Sequence, residues 1–292
     1  MTIRVGLLGT GYWAVHTQGA ALAERPDVDF AGVWGRDPAK AEAVAADFGV
    51  PAFADVDDLL AKVDAVSIAL PPDVQADLAV RAAEAGRHLL LDKPLALTTA
   101  AADRVVAAVE AAGVASIIFF TRRFHSDVDA FVAEAGARAW DGARVTMFAS
   151  IFQPGNPYGS SPWRRERGGL WDIGPHALSV VLPVLGPVAE VVALAGPHDA
   201  TYALLRHASG ALSTLALTLD APPAGVVHEI VLYGPEGQVP VPRGDETAVA
   251  AFGTAVGQLV ANVAAGVTAH PCDVRFGRDV VAVLDQVERA RR

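Results

Sequence analysis

Along the first 120 or so residues, short continuous apolar runs alternate with longer segments that mix apolar and polar residues. The apolar runs predict strands over Ile3–Leu8, Asp29–Trp34, Asp64–Leu70, His88–Leu91 and Val114–Phe120. The intervening segments predict helices over Tyr12–Glu24, Pro38–Phe48, Asp73–Ala85 and from Thr98 or Thr99 to Ala112. Continuous apolar strands separated by helices are typical of a parallel sheet covered on both faces. Right-handed crossovers make such a sheet a doubly wound α/β fold of the Rossmann type.

The second half has a different pattern, because several predicted strands follow one another without a helix-length segment between them. These strands are Val145–Ile151, Val188–Leu194, Thr201–Arg206, Ala211–Leu219 and Val227–Tyr233. Helices are predicted over Gly169–Leu185, Glu246–Ala265 and Asp273–Arg291, and a long loop over Gln153–Gly169. The succession predicts a mostly antiparallel sheet in an α+β domain.

The length and composition fit two packed domains. A chain of 292 residues with 52% hydrophobic residues has enough apolar material for two cores. We expect domains over residues 1–121 and 122–292, with the C-terminal helix packing back on the first domain. The net charge of −10 disfavours a nucleic-acid partner. The single cysteine, Cys272, leaves no disulfide framework and fits a reducing cytoplasm, and the eight scattered histidines predict no metal site.

One segment is apolar enough to need a membrane test. No charged residue occurs over Thr247–Cys272, but Thr254, Gln258 and Asn262 would form a polar stripe on a helix. Such a stripe is typical of a helix packed on one side in a soluble protein. Neither a membrane span nor a signal peptide is therefore expected, and the predicted location is cytoplasmic.

A glycine motif follows the first predicted strand and opens the first helix. Gly9 suits a tight turn, Gly11 lets the backbone approach a pyrophosphate, and Ala14 is small enough for close packing of helix on strand. The helix N-terminus would face the phosphates. The alternative is a glycine turn without a ligand. We predict that the motif, with its neighbours Thr10, Tyr12 and Trp13, binds a nicotinamide dinucleotide.

The end of the second strand favours NADP over NAD. NAD-binding domains usually place an acid there for the ribose hydroxyl, whereas this chain has Trp34, Gly35 and Arg36. An arginine can pair with the 2′-phosphate of NADP, and Asp37 is positioned to cap the next helix. The alternative is that Arg36 is a solvated loop charge. Ligands of parallel sheets bind beyond the strand ends, so the predicted cofactor site also includes Leu70, Pro71, Asp92 and Lys93.

A second cluster of chemistry-bearing residues is the segment Gly168–His176. Asp172 and His176 are four residues apart, which places them on one face of a continuous helix. Histidine is the usual proton carrier near neutral pH. The alternatives are a core histidine and, because Pro175 suits a first helical turn, a capping role for Asp172. For Lys93 the alternative is an exposed loop charge.

These motifs resemble the Gfo/Idh/MocA oxidoreductase family. The resemblance rests on Gly9–Gly11, on Asp92-Lys93-Pro94 and on Gly168–His176, with further likeness at Arg122-Arg123-Phe124 and Trp163-Arg164. It implies a Rossmann domain followed by a domain with a large, mainly antiparallel open sheet. The open face would form a homodimer or homotetramer. Ser179 stands where many members have an aspartate.

The resemblance also implies a reaction. A hydride would pass between the nicotinamide and a carbinol carbon of a sugar, polyol, inositol or related small alcohol. Lys93, His176 and Asp172 would be catalytic, and Arg122, Trp163 and Arg164 would contact the substrate. Two alternatives remain open at this point. The first alternative is a glycosidase-like enzyme with transient oxidation and no net redox change. The second is a non-catalytic NADP-binding regulatory protein.

Overall fold

The computed structural model describes residues 2–235 and 237–291. Its strands are β1 (Ile3–Leu8), β2 (Val28–Trp34), β3 (Ala52–Phe53), β4 (Ala65–Ile68), β5 (His88–Asp92), β6 (Ser116–Phe119), β7 (Gly142–Phe148), β8 (Val188–Ala195), β9 (Thr201–His207), β10 (Leu212–Thr218), β11 (Val227–Gly234) and β12 (Gly237–Pro240). Its α-helices are α1 (Ala20–Glu24), α2 (Pro38–Phe48), α3 (Val56–Leu60), α4 (Pro72–Glu84), α5 (Thr99–Ala112), α6 (Ser126–Gly136), α7 (Pro162–Asp172), α8 (Gly174–Leu185), α9 (Ala248–Ala265) and α10 (Val274–Ala290).

The chain forms two compact units, each assembled from two stretches of sequence. The first unit contains residues up to Phe124 together with Glu246–Asp279. The second unit contains His125–Asp245 and the residues from Val280 onward. The division falls within α10, whose first residues belong to the first unit.

The first unit has the predicted doubly wound parallel sheet. Its strands are arranged in the order β3-β2-β1-β4-β5-β6, and all the pairings are parallel. This order places the topological switch point, on either side of which successive strands are added in opposite directions, between β1 and β4, where ligands of such sheets bind. The strands of β1, β4 and β6 are almost wholly buried, as expected for a sheet with helices on both faces.

Several elements of the first unit are absent from the sequence predictions. The short strand β3 and the helix α3, whose N-terminus is capped by Asp55, lie in a stretch without a clear apolar run. The first predicted helix is present, but it is π-helical over Ala14–Gly19 before it continues as α1. Thr98 is the residue that caps α5, since its hydroxyl accepts a hydrogen bond from the N–H of Ala101.

The helix α9 is a packed helix of the first unit. By length and composition it is apolar enough to cross a membrane. It contacts β5, β6 and α1, and Phe252 meets Phe119 edge to face with ring centroids 4.9 Å apart. Arg25 donates a hydrogen bond of 2.7 Å to the carbonyl of Gly253. These contacts are those of a helix that covers the sheet of a globular domain.

The second unit has the predicted mainly antiparallel sheet. The strand order is β12-β11-β7-β10-β9-β8, and only β10 and β7 run parallel. One face of β8 and β9 carries exposed apolar residues in cross-strand pairs, Leu194 with Tyr202 and Val192 with Leu204. We call this surface the outer patch. A charged pair, Glu190 and Arg206, continues the same row, with 3.0 Å between its carboxylate and guanidinium.

Three sequence predictions for this unit are wrong in detail. The first strand is Gly142–Phe148 and not Val145–Ile151, because the backbone pairs with β10 and β11 from Gly142 onward. The predicted loop Gln153–Gly169 becomes helical at Pro162, a residue suited to a first helical turn. The predicted helix Gly169–Leu185 is interrupted at Ile173, so that α7 and α8 are separate helices.

Candidate active site

The glycine turn after β1 has the geometry of a phosphate-binding turn. Gly9 has φ +142°, and a Cβ at this position would lie 2.5 Å from the carbonyl oxygen of Ala69. Its N–H donates a 2.9 Å hydrogen bond to the carbonyl of Trp34. At Gly11, in contrast, a Cβ would have no described atom within 4 Å. The turn therefore needs glycine on its buried side and exposes bare backbone on the other, as the pyrophosphate of a dinucleotide requires.

The neighbours of the turn divide between its surface and its support. Tyr12 is half exposed, and its ring lies 4.3 Å from the ring of His16. Trp13 lies against Phe119, with ring centroids 6.3 Å apart. Thr10 packs closely on Gly35, since a Cβ added at Gly35 would lie 2.6 Å from the methyl group of Thr10. Tyr12 thus faces solvent at the turn, whereas Trp13 and Thr10 also hold it in place.

The end of β2 presents an exposed cation, Arg36. The side chain of Arg36 is exposed, and it forms no ion pair among the residues that the structure describes. The carboxylate of Asp37 accepts hydrogen bonds from the N–H groups of Ala39 and Lys40, at 3.1 and 3.3 Å. The predicted capping role of Asp37 is confirmed, so its acid is engaged with α2.

The turn that carries Lys93 is held by a residue that the sequence analysis missed. The amide Nε2 of Gln75 donates to the carbonyl oxygens of Asp92 and Pro94, at 2.8 and 3.1 Å, and its Oε1 accepts from the N–H of Asp92 at 2.8 Å. The N–H of Lys93 donates to the Asp92 carboxylate at 2.7 Å. The Lys93–Pro94 peptide is cis. No sequence pattern around Gln75 indicates that its side chain bonds this turn.

The first unit brings its predicted site residues to one edge of its sheet. The glycine turn, Arg36, the Leu70–Pro71 segment and Lys93 follow β1, β2, β4 and β5, which are neighbours in the sheet. Leu70 and Pro71 are partly exposed there, and the carbonyl of Pro71 accepts from the N–H of Gln75 at 2.9 Å. Arg122 lies in a 3-10 turn after β6, partly exposed.

In the second unit, Asp172 is bound to an arginine. The Nε of Arg164 donates to its carboxylate at 3.0 Å, and only 11% of the Asp172 side chain is exposed. The guanidinium of Arg164 lies over the rings of Trp163 and Tyr158, at 4.6 and 4.9 Å from their centroids. Aromatic faces on a desolvated guanidinium stabilise its charge and fix its plane. Sequence spacing gave no indication of Tyr158 or of the Arg164–Asp172 pair.

His176 lies in the first turn of α8, beyond the helix break. Ile173, with φ −106° and ψ −19°, separates α7 from α8, so Asp172 and His176 lie in consecutive helices and not in one continuous helix. The N-cap residue of α8 is Ile173, which makes no side-chain capping bond. His176 is partly exposed. Ser179 is buried, and its hydroxyl donates a 2.9 Å hydrogen bond to the carbonyl of His176.

The double glycine of the second motif is required by packing. Gly168 has φ +63° and ψ −161°, and a Cβ there would overlap the carboxylate of Asp199. A Cβ at Gly169 would lie within 3.0 Å of the backbone of Thr218. Asp199 itself has φ +51°, and the preceding His198 has φ +56°, which is uncommon for residues other than glycine. The turn between β8 and β9 therefore fits tightly on the bend within α7.

The last turns of α10 hold the same bend from another direction. The Glu288 carboxylate accepts a 2.9 Å hydrogen bond from the indole of buried Trp171, and it pairs with Arg167 at 3.4 Å. Arg291 pairs with Asp199 at 3.3 Å. Among the described residues, no cluster of three or more His, Cys, Asp or Glu could hold a metal ion.

Comparisons with known proteins agree with the architecture. Residues 3–120 match a family model described as an oxidoreductase family with an NAD-binding Rossmann fold, and residues 141–239 match the GFO/IDH/MocA C-terminal domain. The solved structure of UDP-N-acetylglucosamine 3-dehydrogenase GnnA from Acidithiobacillus ferrooxidans has a TM-score of 0.84 at 23% identity, covering 99% of this chain and 98% of its own. That likeness shows a common fold.

Two curated relatives have higher identity. The dTDP-3,4-didehydro-2,6-dideoxy-alpha-D-glucose 3-reductase of Streptomyces antibioticus is 30% identical, over 78% of this chain and 68% of its own length. The D-xylose 1-dehydrogenase (NADP(+)) 2 of Haloferax volcanii is 31% identical, over 74% of this chain and 70% of its own length. The matched part is 57% to 75% of the length of the first four curated relatives.

Proposed function

This chain belongs to the Gfo/Idh/MocA oxidoreductase family, and from that premise we propose that it transfers a hydride between a nicotinamide dinucleotide and a carbinol carbon of a sugar-like substrate. The observation that carries the proposal is the edge of the parallel sheet, where the open backbone at Gly11 and the Lys93 turn follow adjacent strands. A phosphate-binding turn and a cation on one sheet edge suit a dinucleotide with a reacting substrate beside it.

The cofactor, when bound, supplies the hydride acceptor or donor. Gly9–Trp13, Trp34–Arg36, Leu70–Pro71 and Asp92–Lys93 are the segments proposed to hold it. The Lys93 ammonium stabilises negative charge on the substrate oxygen. Neutral His176 takes the proton of the reacting hydroxyl. Asp172, whose carboxylate Arg164 fixes, accepts a hydrogen bond from a neighbouring hydroxyl.

The proposed substrate class is a sugar, polyol, inositol or sugar nucleotide. Relatives are named as reductases or dehydrogenases of a dTDP-sugar, of D-xylose and of inositol. Arg122 and Trp163 are proposed to contact the substrate. Arg164, the third residue expected to do so, contributes mainly through Asp172, because its Nε is bound to that carboxylate and its guanidinium lies over two aromatic rings.

We propose NADP as the preferred cofactor. The support is the exposed Arg36 together with the engaged carboxylate of Asp37 at the end of β2. The relative from Haloferax volcanii is named as an NADP-dependent enzyme, whereas the solved structure of GenD2 from gentamicin A biosynthesis contains NAD. The family thus includes both cofactors, and the residues at the strand end decide between them.

We also propose that two or four copies associate through the outer patch of the second unit. The side chains of its two apolar cross-strand pairs are 42% to 61% exposed and lie next to each other. Contiguous exposed apolar residues of this kind mark interaction surfaces. A single cysteine in 292 residues fits a cytoplasmic location. The proposed partners are a small-molecule substrate and further copies of the chain, with neither nucleic acid nor membrane.

Turnover with a panel of sugars, polyols and sugar nucleotides, with NADP⁺ and NAD⁺ in excess, tests the proposal. We expect reduced cofactor to accumulate with at least one substrate. Lys93→Ala should lower kcat by about 10²- to 10³-fold, the usual effect of removing one group that stabilises charge in the transition state, and should weaken cofactor binding much less. Near-normal turnover of Lys93→Ala would contradict the role of Lys93. Release of a free sugar without accumulated reduced cofactor would instead support the glycosidase-like alternative.

A further inference from the structure

Gln75 is a fully buried glutamine whose side chain is used on both sides of the Lys93 turn. It lies in α4 with no solvent exposure. Its Nε2 donates to the carbonyls of Asp92 and Pro94, and a longer contact of 3.4 Å reaches the carbonyl of Leu95. Its Oε1 accepts from the Asp92 N–H. One side chain therefore bonds the backbone immediately before and immediately after Lys93.

These bonds have a physical consequence for Lys93. Asp92 is the last residue of β5, opposite Phe119 of β6, and the backbone of Lys93 and Pro94 lies beyond the sheet ladder, so polar groups at this strand end need a partner outside the sheet. Gln75 supplies both a donor and an acceptor, which no apolar side chain can do. Because an amide is planar and both its ends are engaged, the path of the Asp92–Pro94 backbone is fixed relative to α4.

We propose that Gln75 is a positioning residue that sets the place of the Lys93 ammonium by holding the turn from which that side chain starts. The inference rests on the proposed catalytic role of Lys93. A displacement of about 1 Å at a reacting centre costs on the order of 100-fold in rate. Loss of the Gln75 hydrogen bonds should therefore lower kcat while leaving the glycine turn and cofactor binding intact.

The first variant is Gln75→Leu, and Gln18→Leu is its matched control. Gln18 is also a fully buried glutamine of the first unit, but its side chain bonds Ser67 and not the turn. Both variants remove a fully buried amide, and the unfolding midpoint of each shows how far a general loss of stability contributes to its effects. Four quantities are compared: the unfolding midpoint, the NADPH Kd, kcat and the hydrogen exchange of residues 88–97.

We expect Gln75→Leu to raise exchange of the Asp92 amide by roughly 5-fold, since that N–H loses its acceptor. Its kcat should fall about 10- to 100-fold, with the NADPH Kd within threefold of the original protein. Gln18→Leu should leave the exchange of this segment and kcat unchanged. Exchange at Asp92 that matches the original protein would overturn the inference without any activity measurement.

A second variant gives a pH readout that a packing role would not produce. In Gln75→Glu, a protonated carboxyl keeps one donor toward the backbone carbonyls, whereas the ionised form faces two oxygens with negative charge. Burial and these carbonyls favour the protonated form. We expect activity nearest the original at low pH and a new loss of kcat as the pH rises. A pH profile with the original shape would contradict the inference.

The arms separate this inference from the proposed function. If Lys93→Ala is inactive while Gln75→Leu has full kcat and raised exchange, only the positioning role of Gln75 is wrong. If Lys93→Ala and Gln75→Leu both have full kcat, the catalytic role of Lys93 is wrong, and the inference fails with it. Loss of kcat in Gln75→Leu but not in Gln18→Leu, with raised exchange, supports both.

Discussion

At the end of β2, a single arginine side chain extends into solvent beside an aspartate that caps a helix. The capping bonds of Asp37 orient its carboxylate toward the N-terminus of α2. The guanidinium of Arg36 forms no ion pair among the described residues and is therefore available to a ligand. A phosphate at this position would gain charge-assisted hydrogen bonds, whereas a ribose hydroxyl would gain much less. We therefore propose that cofactor choice depends on Arg36 and its neighbour Asp37.

Arg36→Gln should weaken NADPH binding by about 10- to 100-fold, the effect of losing a hydrogen bond to a charged group. NADH binding should change less than threefold, because NADH has no 2′-phosphate. Titration of nicotinamide fluorescence measures both values. Lys40→Gln is the control, since it removes the same charge from an exposed lysine of α2 that pairs with Asp37 at 3.9 Å. Equal weakening of both cofactors by Arg36→Gln would contradict the proposed contact.

Sequence patterns located residues but not their bonds. The glycine turn, Arg36 and Lys93 were predictable, because their positions follow from strand ends and local backbone requirements. The pairing of Arg164 with Asp172 was not predictable, since the seven residues between them do not specify the bend of α7. Gln75 also escaped, because it precedes Lys93 by 18 residues and acts on backbone atoms.

The helix α7 changes direction at Gly168, and the segment after this bend carries Asp172. The bend is fixed by the turn between β8 and β9, where Asp199 fills the space beside Gly168. After the bend, the indole of Trp171 donates a hydrogen bond to the carboxylate of Glu288. An element with a non-helical residue inside it thus depends on long-range packing, and a local helix signal cannot encode it.

Gly168→Ala should destabilise the protein more than Gly186→Ala. Both glycines occupy a backbone region that is almost restricted to glycine, with φ +63° and ψ −161° at Gly168 and φ +86° and ψ −175° at Gly186. A Cβ at Gly186 meets no described atom within 4 Å, whereas one at Gly168 overlaps Asp199. We expect Gly186→Ala to cost about 1–2 kcal/mol and Gly168→Ala at least about 1 kcal/mol more.

Chemical denaturation of the two variants measures this difference in the free energy of unfolding. Equal losses would mean that Asp199 moves aside without cost.

The element boundaries show the same limit of local signals. The helices α2, α5 and α9 were predicted closely because their caps are local. The shift of β7 by three residues reflects pairing with β10 and β11, which are distant in sequence.

For the whole molecule, the outer patch is the surface feature with a defined consequence. Its four apolar side chains form two adjacent cross-strand pairs on β8 and β9. Covering such an apolar surface with a second copy removes it from water and so lowers the free energy of the complex. The parallel sheet and the mainly antiparallel sheet were both predictable from the order of apolar runs, but the exposure of this face was known only from the family resemblance.

Leu204→Glu should dissociate the assembly. A carboxylate buried in an apolar contact without a partner is costly, and the dissociation constant should rise at least about 100-fold. Sedimentation or light scattering over a concentration series measures the change. Val267→Glu is the control, because Val267 is exposed to a similar extent but lies in the first unit. A monomeric original protein, or an unchanged mass for Leu204→Glu, would contradict the proposal.

The discontinuous first unit also restricts how such proteins exchange parts during evolution. Residues 125–245 are an insertion between two stretches that together form the dinucleotide-binding unit. A recombination event that replaces this insertion needs two crossovers, one near Phe124 and one near Glu246. A single crossover at Phe124 would combine β6 of one parent with α9 of another, and the contact between Phe119 and Phe252 would then join residues of different ancestry. Because the second unit also contains the residues from Val280 onward, its contact between Trp171 and Glu288 is inherited from one parent only if a further crossover occurs near Val280. Exchange of a whole second unit is therefore expected to need three crossovers.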